Sequence, residues 1–93
     1  MIIVSQDKKV ITNFNNTLGI QIETYFLNGD GEKDYEVKVI TEKGIYTIGT
    51  YDTEERAKEV LQEIIHIYGE CNASCVSTGY GYVKNKVYEM PED

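Results

Sequence analysis

Arg56 is the only guanidinium in a chain of 93 residues. It falls in the opening turn of a segment, Asp52 to Gly69 (DTEERAKEVLQEIIHIYG), that reads as a helix. The first turn of a helix leaves backbone N–H groups free, and an anion placed there is favoured by those donors and by the helix dipole. An Arg beside them adds a planar, two-pronged donor for phosphate or carboxylate. The plain alternative is a surface pair between Arg56 and Asp52 or Glu59. A second candidate is STGYGYV, Ser77 to Val83. Gly79 and Gly81 permit close backbone approach, while Tyr80 and Tyr82 offer rings for stacking and hydroxyls for orientation. The dinucleotide-binding fingerprint needs a third Gly opening a helix after a strand, and that context is absent. The ligand-binding set expected from the sequence is therefore Arg56, Tyr51, Gly79, Tyr80, Gly81 and Tyr82.

Other groups carry weaker chemistry. His66, Cys71 and Cys75 give H-x4-C-x3-C, but a closed zinc site needs four ligands and the second pair is missing. No metal and no cofactor are expected. A thiol nucleophile with His66 as base lacks an orienting third group. NGDGEKD, Asn28 to Asp34, is acidic, yet it lacks the register of a calcium loop and is flanked by strands, so a hairpin loop is the better reading. Sixteen acidic residues include no pair in a marked setting. The expectation is a binding protein rather than an enzyme.

These groups must be held by a small frame. Asp52 and Glu55 form a capping box in the sequence, and Glu54 adds negative charge to the first turn. Ala57, Val60, Leu61, Ile64 and Tyr68 recur at helical spacing, with Ile65 and Ile67 widening the stripe and Gly69 ending it. Residues 2–5 and 10–14 read as a hairpin around the polar turn 6–9. Residues 18–26 alternate apolar and polar with a period of two, as do 35–41 and 45–50, which marks three half-buried strands. Residues 70–81 read as a long loop and 82–89 as a last strand. The expected fold is α+β in a single domain (1–93): an antiparallel sheet of five to six strands with one amphipathic helix packed on it.

Composition excludes several classes. A net charge of −7 argues against neutralising the phosphates of a nucleic acid. The apolar start is too short for a signal peptide, and no stretch approaches a membrane span. Eight tyrosines and no Trp in so small a chain favour a subunit interface, so a homo-oligomer is expected.

The opening IIVSQDKKVITNF, the helix YDTEERAKEVLQEI and the ending VYEMPED together resemble a family of small proteins from phages and prophages of Firmicutes. The resemblance covers the N-terminal hairpin, the strand and helix around residue 56, and the last residues. It brings no residue roles with it. It implies a phage-type origin and action in the bacterial host cytoplasm, where small acidic accessory proteins serve counter-defence. One mode is a sponge: a homo-oligomer that sequesters a nucleotide-derived immune signal, such as a cyclic ADP-ribose derivative, without cleaving it. Another is an acidic inhibitor that mimics DNA and blocks a nuclease. A third is a regulatory or assembly protein with no small ligand. The acids are interleaved with Lys8, Lys9, Lys33, Lys38 and Lys84, and that dispersal favours the sponge.

Overall fold

The computed structural model describes residues 1–27, 31–78 and 87–93, with the backbone alone for residues 70–78. The chain runs β1 (Ile2–Val4), β2 (Ile11–Asn13), a short 3-10 turn (Phe14–Asn16), β3 (Gly19–Leu27), β4 (Glu32–Thr41), β5 (Gly44–Tyr51), α1 (Glu54–Thr78) and β6 (Val87–Glu89). The fold is α+β. The strands form two three-stranded sheets rather than the one expected, ordered β2-β1-β6 and β3-β4-β5. β6 pairs with β1 in parallel, and the long stretch of chain between them supplies the crossover that a parallel pair requires.

The N-terminal hairpin is held by its turn. The Ser5 N–H donates to the Val10 carbonyl at 2.8 Å. The buried Ser5 hydroxyl donates to Asp7 Oδ1 at 2.6 Å and accepts from the Val10 N–H at 3.0 Å. Lys8 takes a left-handed φ of 65° to close the turn. Its Nζ lies 3.6 Å from Glu89 on β6.

The second sheet supplies four of the ten buried apolar side chains of the core. Val37 and Val39 on β4 are buried, and Ile20 and Ile22 on β3 stand opposite them. Along β5 a simple period of two would bury Tyr46, Ile48 and Thr50. A register shift against Val37 and Lys38 inserts one extra residue. After this bulge the parity flips, so Ile48 and Tyr51 are both buried and Thr50 is not. Gly49, opposite Val37, also faces inward, and a Cβ there would lie 2.9 Å from Met90 Cε and 3.0 Å from Tyr51 Cε2.

The helix lies over β4 and β5. Ala57, Val60 and Ile64 are buried, with Ile67 and Tyr68 packed at the margin. Tyr68 meets the Phe14 ring edge-on at 4.9 Å. Four local expectations are corrected. The cap is Thr53, whose hydroxyl accepts the Arg56 N–H at 3.1 Å, and Asp52 lies one residue too early. Ile65 is half exposed and does not widen the buried stripe. Gly69 does not end the helix, which continues to Thr78 through segment 70–78 expected as a loop. One interior Gly costs a helix only about 1 kcal/mol, which helical neighbours on both sides outweigh. Last, Glu32 to Asp34 belong to β4, not to the preceding loop. Asn28 to Asp30, the segment 79–81 of the expected loop and residues 82–86 of the expected strand lie outside the described residues.

Candidate functional site at the start of the helix

β5, the helix start and the residues after β6 converge on one corner. Gln6 ties them together. Its amide nitrogen donates to the carbonyls of Glu92 at 2.6 Å and of Thr50 and Pro91 at 3.1 Å each. Its amide oxygen accepts the Thr50 N–H at 2.9 Å. The Tyr51 hydroxyl donates to the Pro91 carbonyl at 2.8 Å. Burial pushes the Tyr51 phenol up to about 12, so it stays a donor at any physiological pH.

These contacts shape a recess of about 200 Å³ lined by Thr50, Tyr51, Asp52, Thr53, Arg56, Glu92 and Asp93. Arg56 projects into it from the first turn. Its Nε donates to the Asp93 carbonyl at 3.0 Å, and its Nη1 contacts Glu59 Oε2 at 3.0 Å. The Glu59 carboxylate holds the guanidinium further in its charged form. Both groups of this pair keep access to solvent, Glu59 the more so. Such a pair contributes about 0–1 kcal/mol, so Glu59 is easily displaced by a more strongly charged anion.

Two of the expected ligand residues therefore meet here. Arg56 lines the recess with its guanidinium. Tyr51 stands behind it, with its ring in the core and its hydroxyl committed to Pro91. Gly79, Tyr80, Gly81 and Tyr82 lie outside the described residues. Sequence reasoning missed Gln6 and the residues after β6 as builders of this corner. Neither carries a local signal, since their bonds span 44 to 86 residues of chain. Three acidic residues, Asp52, Glu92 and Asp93, are also among those that line the recess.

Beyond this corner, a broader open groove of about 620 Å³ runs between β2 and the β4–β5 turn. Ile11, Leu18 and Tyr46 are exposed along it. On the helix side, the Tyr88 hydroxyl donates to Glu63 Oε2 at 2.6 Å. Burial, reinforced by that carboxylate, raises the Tyr88 phenol above its ordinary value. Among the described residues no cluster of His, Cys, Asp and Glu is arranged to hold a metal ion. Among them, too, no helix is long and apolar enough to cross a membrane. Comparison with protein-family models, with curated proteins and with solved structures finds no match.

Proposed function

We propose that this chain is a phage-type counter-defence sponge, a non-enzymatic homo-oligomer in the bacterial host cytoplasm. It captures a nucleotide-derived immune signal, such as a cyclic ADP-ribose derivative, and leaves it intact. The observation that carries this reading is the position of Arg56: a single guanidinium in the first helical turn, at the mouth of a recess. A phosphate gains there by replacing Glu59 on the guanidinium, and the helix start adds its own preference for anions. Asp52, Glu92 and Asp93 also line the recess, and their negative charge opposes an anionic ligand, so the guanidinium and the helix start must outweigh it. The recess of one copy is small for a dinucleotide, so a second copy would have to supply the remaining wall. The sequence resemblance to small phage proteins supports the setting.

The acidic-inhibitor alternative needs carboxylates gathered on one surface. Among the described residues several of them are instead paired locally with a cation. Lys38 lies 3.0 Å from Glu23 and 3.3 Å from Glu36, Lys58 lies 3.1 Å from Glu54, and Arg56 holds Glu59. That pattern favours the small-ligand reading over DNA mimicry. Equilibrium dialysis against cyclic ADP-ribose derivatives tests it, with Arg56→Ala beside the wild type and Lys58→Ala as a control two residues on. The reading expects retention by the wild type and by Lys58→Ala, with Arg56→Ala weaker by at least tenfold. Equal retention by Arg56→Ala would remove the helix start from the site.

A further inference from the structure

β3 pairs with β4 in an unbroken register of nine residues, from Gly19 opposite Ile40 to Leu27 opposite Glu32. Its other edge pairs with no strand among the described residues. A long open edge presents unpaired N–H and C=O groups, and proteins usually blunt such edges with Pro, Lys, bulges or short length. The other outer strands follow that practice. β2 and β6 are three residues each. β5 receives the Gln6 N–H at the Ile48 carbonyl and the Gln6 side chain at Thr50. From Thr17 to Leu27, by contrast, there is one charge, Glu23, with no Pro and no Lys.

The strand is also complementary to itself. A two-fold axis normal to the sheet must set residues of the same face opposite each other, so it passes through a residue and not between two. An axis at Glu23 opposes two like charges, which is unfavourable. An axis at Ile22 does not. It sets Ile20 against Thr24 and Ile22 against its counterpart, both on the face that carries Val37 and Val39. On the opposite face it sets Gln21 against Glu23, and Tyr25 over the bare backbone of Gly19, where an aromatic ring compensates for the absent side chain.

We propose that two copies of this chain join through their β3 edges, antiparallel and centred on Ile22, into one six-stranded sheet. The join rests on the edge alone: an oligomer indifferent to a change at this edge would overturn it and leave the nucleotide reading standing, whereas a monomer would count against both. Size-exclusion chromatography with light scattering on the full chain at micromolar concentration tests it first, and the expected mass is that of a dimer or of a multiple of dimers. Thr24 is exposed in one copy, so Thr24→Lys leaves the fold and the circular dichroism unchanged while placing Lys against the partner's Ile20 twice. Dimer dissociation should then shift by at least tenfold. In a Cys71→Ser, Cys75→Ser background, Ile22→Cys should cross-link to itself under mild oxidation, whereas Glu23→Cys, which faces Gln21, should not. A monomeric wild type would overturn the proposal. So would an oligomer indifferent to Thr24→Lys, or one that cross-links through Glu23→Cys in preference to Ile22→Cys.

Discussion

Gln6 is the side chain on which the corner around Arg56 most depends. Its amide nitrogen has two hydrogens and three carbonyl acceptors. The 2.6 Å bond to Glu92 holds one hydrogen, and Thr50 and Pro91, both at 3.1 Å, share the other. With the bond from the Thr50 N–H, that makes three effective bonds across 44 to 86 residues of chain. Each contributes about 0.5–1.5 kcal/mol net, and water can reach the Glu92 side once the amide is gone. Gln6→Ala should therefore cost about 2 kcal/mol, a drop of roughly 8–16 °C in Tm for a domain of this size. Gln6→Glu is the sharper test because it keeps the shape. Its ionised carboxylate would face three carbonyls with no hydrogen to give, so Gln6→Glu should cost about 1 kcal/mol more than Gln6→Ala at neutral pH. Protonation restores one donor. The folded-state pKa of that Glu must then lie above its unfolded value of about 4.3. A group raised on folding contributes stability below its unfolded pKa and loses it as pH rises through the folded pKa. The deficit of Gln6→Glu relative to wild type should thus shrink as pH falls below that raised pKa. Urea denaturation from neutral pH to about pH 4 measures this, since both chains share every other titrating group. A cost for Gln6→Ala under about 0.5 kcal/mol, or a Gln6→Glu deficit that is flat with pH, would refute the reasoning.

Three further outcomes are expected. Gly49→Ala should lose about 1–3 kcal/mol in chemical denaturation, because the added carbon meets Met90 and a Tyr51 ring that its bond to Pro91 keeps from swinging away; Gly49→Ser should cost at least as much. Gly69→Ala should stabilise by up to about 1 kcal/mol, since this Gly lies inside the helix at a φ that is not positive, and a loss of stability on thermal melting would restore Gly69 as the helix end. The Asp7 carboxyl is held below its ordinary value, first by the Ser5 hydroxyl and then by the Lys9 N–H. A carboxyl lowered on folding stabilises above its unfolded pKa and loses that contribution as pH falls through the folded value. Wild type should accordingly lose more stability than Asp7→Asn between pH 5 and pH 2, and parallel acid titrations would count against the turn as described.

The parts of the fold legible in the sequence are those written locally. The period of two in residues 18–26 and 35–41 marks β3 and β4, and the spacing of Ala57, Val60 and Ile64 marks the buried stripe of α1. What escaped depends on distance or on a single inserted residue. The bulge in β5 moves Tyr51 inward, although its place in the alternation puts it outside. Two sheets replace one because β1 finds β6 across most of the chain, a pairing that no turn residue announces. The helix passes Gly69 because a permissive residue allows a stop without compelling one. At the site, Arg56 was legible from its type and its place in the first turn. The wall opposite it, Glu92 and Asp93, was not, since it is set by Gln6 reaching across the fold.

Capture without cleavage is the claim most directly open to measurement. The purified chain is incubated with a cyclic ADP-ribose derivative, the free ligand is quantified, and the protein is then heat-denatured and the supernatant assayed again. Loss of free ligand followed by its quantitative return, chemically unchanged, is the expected result. A return as a cleaved product, or no loss at all, would contradict it.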